Sequence, residues 1–359
     1  TGIYEYLEHD ANNPNSINAT VVSPLLIDTQ GIVWFGSSAT GVGVCNPQQL
    51  RFDLVNQSHG LNDQVLPANS VYGIDSDDRG RIWMGTGGGG AIGINFLTGD
   101  ARQFITAETD PAIWSMNYTN KIMVDHQQRV WIGTFDAGLF RWDPTTDKLD
   151  HYRHTLRYDK KLNSNHIFAL LETRDGTVWV GTDGGGVNHY LPGTDDFELF
   201  KHDPANPESV GSDKIRVFLE DRQGALWIAT ADDGLDRMDR MTNTFRHYTT
   251  NNSGNSISSN AVLTLHEDQQ SNLWIGTQSG GLCKLNSSRD KFETIDLGIN
   301  EEQLEISAIL EDDHGVLWLS SSAGILKFHP EVGLLGIYKT SDGVQDQDFY
   351  YDSRLRDKD

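Results

Sequence analysis

The chain has little of what many function classes require. It carries only 28 Lys and Arg against 51 Asp and Glu, a formal charge of −23. Gripping DNA, RNA or an anionic bilayer takes a basic face that neutralises phosphates, so nucleic acid is excluded as a partner. Two cysteines, Cys45 and Cys283, cannot build a disulfide scaffold in 359 residues and leave the redox compartment open. No apolar run approaches the ~20 residues of a membrane-spanning helix. Helix-length segments of 3.6-residue period are missing as well. The twelve histidines show no zinc spacing, and His151 and His154 fall on an outer-strand stretch expected at the surface. Acidic turns such as Glu311-Asp312-Asp313 lack the alternating carboxylates of a calcium loop. The glycine runs Gly184–Gly186 and Gly280–Gly281 are not followed by the lysine of a phosphate cradle. No metal and no cofactor are therefore expected.

What the chain does have is a clock of tryptophans. Trp34, Trp83, Trp131, Trp179, Trp227, Trp274 and Trp318 follow one another at intervals of 49, 48, 48, 48, 47 and 44 residues. Similar text surrounds each, as in Gly224-Ala-Leu-Trp227-Ile-Ala-Thr230 and Asn272-Leu-Trp274-Ile-Gly-Thr277. A fixed period of this length is the signature of a propeller or a solenoid. Within the fifth repeat an apolar run, Ile215 to Leu219, meets the turn Asp221-Arg-Gln-Gly224, with Asp and Gly at the places a type I turn favours. Leu226–Thr230, Leu235–Met238 and Thr244–Thr249 then read as three more short strands separated by turn residues. A four-stranded sheet that is apolar on both faces cannot bury them alone, whereas seven such sheets stacked radially bury every face against a neighbour. The expected fold is all-β: a seven-bladed β-propeller of four-stranded antiparallel blades, one domain over residues 1–359. Each Trp is expected to pack between blades.

The ends do not fit whole repeats. Residues 3–8 read as a fourth strand, 334–340 complete the seventh repeat, and 349–356 read as the first strand of another. The chain starts at Thr1 rather than Met, so a piece of a longer parent is expected. Ring closure by residues 3–8 in the seventh blade is expected, with an incomplete eighth blade as the alternative.

The segment Leu219-Glu-Asp-Arg-Gln-Gly-Ala-Leu-Trp-Ile-Ala-Thr-Ala-Asp-Asp-Gly-Leu-Asp-Arg-Met-Asp239 resembles the two-component regulator propeller repeat, as does Leu310-Glu-Asp-Asp-His-Gly-Val-Leu-Trp-Leu319. The resemblance extends over seven copies. Repeats 1 and 7 depart from it with Gly36-Ser-Ser-Ala-Thr-Gly41 and Ser320-Ser-Ser-Ala-Gly324, and repeats 3 and 6 lack the turn glycine. It implies the periplasmic sensor domain of a hybrid histidine kinase or a diguanylate cyclase. Such a domain has no catalysis of its own, and the attached membrane and signalling domains lie in the rest of the same chain. It also implies a small polar ligand such as an oligosaccharide, and a second copy of the chain is a candidate partner.

Chemistry is expected at one end of the ring. The second-to-third loop and the blade-to-blade loop share that end, and their text varies from copy to copy, while the hairpin turns opposite are uniform. The twelfth residue before each Trp (Val22, Val71, Thr119, Ile167, Ile215, Val262, Ile306) forms a packing column. The eleventh and thirteenth alternate with it and are expected to ring the channel mouth. The densest set, in repeats 3 to 5, is Tyr118, Asn120, His166, Phe168, Lys214 and Arg216, joined by Trp114, Phe135, Asp136, Asp183 and Asp232 from nearby loops, and Tyr72 at the eleventh place of repeat 2 is a further candidate. Aromatic faces with a few polar groups suit sugars, and Arg216 with Lys214 suits a carboxylate or sulfate. The competing expectation is a glycosidase or lyase. Asp136, Asp183 and Asp232 sit at comparable loop positions and offer a carboxylate pair, and Ser76-Asp-Asp-Arg-Gly-Arg-Ile-Trp83 resembles the Asp-box hairpin of sialidase-like propellers.

Overall fold

The computed structural model describes residues 65–104, 117–154, 162–250, 256–289, 291–299 and 303–338, together with the strands β1 (Val22–Ile27), β2 (Val33–Ser37), β3 (Gly41–Asn46), β4 (Arg51–Val55) and β29 (Arg354–Arg356). Every regular element among them is a strand or a turn. Seven separate sheets form, each an antiparallel meander of four sequential strands. The strands of the last six fall within residues 71–104, 119–152, 167–200, 215–248, 262–295 and 306–338. They are blades 2 to 7, and β1–β4 make blade 1. The innermost strands of successive blades, among them β5 (Val71–Ser76), β9 (Thr119–Val124) and β13 (Ile167–Glu172), lie side by side around the axis.

Blade 7 is complete from one continuous segment, Ile306 to Tyr338. The strand expected over 3–8 lies outside the described residues. The C-terminal stretch does not begin an eighth sheet among the described residues. Arg354–Arg356 instead pairs in parallel with β1, opposite Leu25–Ile27, and gives blade 1 a fifth strand on its inner edge.

The tryptophans pack as their spacing requires. Trp83, Trp131, Trp179, Trp227 and Trp274 are buried, and each joins the apolar cluster shared with the following blade. Trp227, for example, lies with Val262, Leu265, Leu273 and Ile275 of blade 6. Trp318 of blade 7 is only half-buried. His151 corrects the expectation of a surface histidine. Its ring stacks on Phe140 at 4.0 Å and bonds the Ala137 carbonyl, and burial lowers its pKa.

The uniform end is held by two carboxylate rings. The Asp six residues before the Trp accepts the indole N–H in five blades: Asp77, Asp125, Asp221, Asp268 and Asp312, at 2.9, 2.8, 2.8, 2.7 and 3.1 Å. Its other oxygen caps backbone N–H groups of the turn. The Glu one position earlier reaches the preceding blade. Glu172, Glu220, Glu267 and Glu311 accept the backbone N–H of His126, Arg174, Arg222 and Gln269. The Asp-box-like segment around Asp77 therefore does structural work shared by most blades.

Blades 3 and 6, which lack the turn glycine, still adopt its backbone. Gln128 and Ser271 take φ of 62° and 63°, where Gly80, Gly176, Gly224 and Gly315 stand elsewhere. The Gln128 side chain recovers something by accepting the Asp78 N–H at 2.9 Å. The Ser271 hydroxyl accepts a long 3.3 Å bond from Arg222. Ser271→Gly is expected to raise stability by about 0.5–1 kcal/mol, the αL penalty offset in part by glycine's chain entropy. A urea-denaturation midpoint that moves up checks it.

Candidate ligand site

The innermost strand of each described blade carries a β-bulge at one repeat position. Register jumps from Val71 to Gly73, Thr119 to Lys121, Ile167 to Ala169, Ile215 to Val217, Val262 to Thr264 and Ile306 to Ala308. The extra residue is the eleventh before the Trp: Tyr72, Asn120, Phe168, Arg216, Leu263 and Ser307. A bulge bends the strand and re-aims a side chain, so this column is set apart by the backbone itself. The residue before it is fully buried in all six blades and packs, as its column predicts.

Two residues further up, the strand start ties to the second-to-third loop of its own blade. The carbonyls of Ser70, Tyr118, His166, Lys214, Ala261 and Glu305 accept the N–H of Gly87, Phe135, Asp183, Ala231, Gln278 and Ser322. The loop of one blade also bridges the strand start of the next, Gly87 to Tyr118 and Asp183 to Lys214. These bonds place both variable loops at one end. In blades 2 to 6 the Thr three residues after the Trp closes the loop by donating its hydroxyl to the glycine carbonyl four residues on, as in Thr134 to Gly138 (2.7 Å) and Thr230 to Gly234 (2.9 Å).

On this frame an aromatic ladder crosses four blades. Tyr72 of blade 2 meets Phe135 of blade 3 edge-to-face at 5.5 Å, and Phe135 meets Phe168 of blade 4 in the same way at 6.0 Å. The Arg216 guanidinium of blade 5 lies over the Phe168 ring at 4.7 Å. Such contacts fix ring orientation and hold the cation against an apolar face. All four residues are half-buried. At the same position blades 6 and 7 carry buried Leu263 and Ser307, so the ladder is confined to one side.

The polar groups stand above the ladder. Lys214 reaches Asp232 at 2.8 Å, and Asp232 also accepts the Ser212 hydroxyl at 2.6 Å. The hydrogen bond that Lys214 donates to Asp232 raises the Lys214 pKa. Partial burial would lift Asp232, but the bonds from Lys214 and Ser212 outweigh it and hold the carboxyl below its ordinary range. His166 lies 3.4 Å from Asp136. Tyr118, Asp136, His166, Lys214 and Asp232 are exposed, and Asp183 is half-buried. Asn120 differs from its column neighbours. It is wholly buried and donates to the Ile167 carbonyl at 2.7 Å, which joins blade 3 to blade 4, while its Oδ1 has no hydrogen-bond partner. Trp114 lies outside the described residues. Sequence reasoning missed Ser164 and Ser212, whose hydroxyls accept the N–H of His166 and Lys214 at 3.2 and 3.1 Å. Their signal was present: a Ser fifteen residues before the Trp in blades 4 and 5 and again, as Ser259, in blade 6.

Radial four-stranded blades with this rim define a β-propeller that presents a small asymmetric polar–aromatic mouth. The family model for the two component regulator propeller matches residues 65–88, 161–184, 209–232 and 256–279. All four matches start eighteen residues before their Trp, the same frame as the tryptophan period. Four of the seven repeats thus match that model. It is 35% identical over 78 residues to histidine kinase P4 of Formosa agariphila, which is 21% of this chain and 5% of that protein. Among solved structures it is similar to the extracellular domain of a hybrid two component system from B. thetaiotaomicron, with a TM-score of 0.62 and 19% identity over 93% of this chain and 49% of that one. It is similar in fold also to virginiamycin B lyase from Staphylococcus aureus, with a TM-score of 0.59 and 14% identity over 86% of this chain and 92% of that one. The chain thus spans about half of the solved extracellular domain.

Proposed function

We propose that the chain is the extracytoplasmic ligand-sensing propeller of a two-component signalling protein, binding an oligosaccharide at the mouth and passing the signal to membrane-attached domains. The repeat family and the likeness to a histidine kinase support the class. The ladder Tyr72–Phe135–Phe168–Arg216 carries the ligand reading: three aromatic edges and faces in a row suit the apolar faces of successive sugar rings. Arg216 and Lys214 beside it suit one acidic group, such as a uronate carboxylate or a sulfate. The surrounding Asp136, Asp183 and Asp232, on a chain of charge −23, disfavour a densely anionic polymer. Binding shifts an equilibrium of the propeller that the attached domains read.

A thermal-shift screen with neutral and acidic oligosaccharides tests this, since a ligand of the native state raises its melting temperature. A saturable shift with the sugar recovered intact is expected. Cleavage of the sugar that Asp136→Asn or Asp183→Asn abolishes would replace the sensor with an enzyme. For an acidic hit, Arg216→Ala is expected to weaken binding by about 10–100-fold, the worth of one charge-assisted hydrogen bond. Calorimetry showing unchanged affinity would remove Arg216 from the site.

A further inference from the structure

The loop from blade 4 to blade 5, residues 201–213, carries Ser212 near its end and so adjoins the Asp232–Lys214 side of the mouth. Its anchor is His247, in the outermost strand of blade 5 (Thr244–Tyr248). One ring nitrogen, Nδ1, lies 2.6 Å from Asp236 Oδ1, and the other, Nε2, lies 2.9 Å from the Pro207 carbonyl. Both partners are pure acceptors. A neutral imidazole has one N–H and satisfies one of them, whereas the imidazolium satisfies both. Asp236 is fully buried, and its second oxygen accepts the Gly211 N–H at 2.7 Å. The same loop is held by the Phe245 N–H on the Glu208 carbonyl at 2.9 Å and by His202 Nδ1 on the Val210 carbonyl at 2.9 Å. Asp236 Oδ1, Asp233 Oδ2 and His247 Nδ1 converge within 3.0–3.1 Å of the place a Gly211 Cβ would occupy, so a side chain there would press this cluster back by a few tenths of an ångström.

We propose that His247 is a proton-dependent latch: its doubly protonated ring holds the 201–213 loop down, and through Ser212 it positions the Asp232–Lys214 pair at the mouth. His247 is a positioning residue. Only the second half, that the mouth is where ligand sits, rests on the function proposed above.

The surroundings favour the charged ring. Asp236 and Asp233 face it from the third strand and the loop before it, and His202 and Glu208 belong to the docked segment. The hydrogen bond to Asp236 raises the His247 pKa against partial burial, which pulls it down. Burial, then the neighbouring Asp236, raises Asp233. A histidine whose folded pKa is raised contributes its stabilisation fully below its unfolded value of about 6.5 and loses it as pH climbs through the folded value. Asp233, shifted the same way, favours the docked loop below about pH 4 and opposes it as it ionises.

Amide exchange on the ligand-free chain tests the latch without any assumption about ligand. After correction for intrinsic rates, protection of the Gly211 and Phe245 amides is expected to fall about tenfold between about pH 6 and about pH 9, while strand amides of blade 4 stay constant. His247→Gln, which does not titrate, is expected to abolish that pH dependence. If His247→Gln fails to fold, the ring nitrogen chemical shifts of the wild-type chain decide. An imidazolium at about pH 6 whose deprotonation midpoint coincides with the loss of protection supports the latch. A ring already neutral there, or protection that is flat across the range, overturns it.

Discussion

Asp221→Ala is expected to lower the unfolding free energy by about 3–5 kcal/mol, the range for breaking a buried charged network from one side. One carboxylate here does the work of several groups. Oδ2 accepts the Trp227 indole N–H at 2.8 Å, and Oδ1 accepts the N–H of Gln223 and Ala225 at 3.0 and 2.9 Å. Arg289 of blade 6, itself buried, brings its Nε to 3.4 Å and bonds Glu267 at 2.7 Å. Alanine strands the indole and the turn and takes from that guanidinium one of its three partners, leaving Glu267 and the Ser271 carbonyl. Blade 4 shows the milder version within the same molecule. Thr173 stands in the Asp position, the Trp179 indole N–H is buried without a partner, and Asp175 takes over a turn amide, that of Thr177, at 3.1 Å. Asp221→Asn is accordingly expected to cost less than alanine, because it keeps the turn caps. Chemical denaturation followed by tryptophan fluorescence checks both. A loss under about 1 kcal/mol for alanine would mean that the clamp does not bear on stability.

The fold was legible because it is written seven times. Near-equal intervals between Trp34 and Trp318 exceed anything a single strand pattern can say, and the packed column at Val71, Ile167 and Ile215 follows from alternation alone. The roles of the polar residues were less legible. Asp221 and its equivalents were read as turn residues, since the turn is local and the indole six residues away is reached only after the hairpin folds back. A Glu seven residues before the Trp recurs in four successive blades, a pattern visible in the text whose meaning needs the neighbouring blade. The candidate site was legible as columns of residue types and not as geometry. Strict alternation puts the eleventh and thirteenth residues on one face, whereas a bulge at the eleventh separates them. That bulge is why Asn120 turns into the interface between blades while Tyr118 opens to solvent. The latch at His247 had no signal in the repeat, because among the described residues this histidine-to-loop contact belongs to blade 5.

Gly181→Val is expected to cost about 3 kcal/mol, at the upper end for overpacking a close-packed core. A Cβ at Gly181 would stand 2.6 Å from Ile215 Cγ2 and 2.9 Å from both Ile215 Cβ and Ala169 Cβ. The glycine before the Thr is therefore the socket into which the next blade's packing column inserts. Gly133 is the socket for Ile167, with 2.7 Å to its Cγ2, and Gly276 for Ile306, with 2.6 Å to its carbonyl oxygen. Blade 5 has Ala229 there, clustered with the smaller Val262 of blade 6. Ile215→Ala alone leaves a cavity and is expected to cost about 2–5 kcal/mol. Combined with Gly181→Val, the two losses should sum to less than their separate values by about 1 kcal/mol or more, the coupling expected of residues in contact. Additive losses would show that the two side chains do not compete for one space. The consequence reaches the mouth, because Ile215 lies between Lys214 and Arg216 on a bulged strand. A knob pushed out of its socket carries both cations with it, so Gly181→Val is expected to weaken ligand binding even at temperatures where the propeller remains folded.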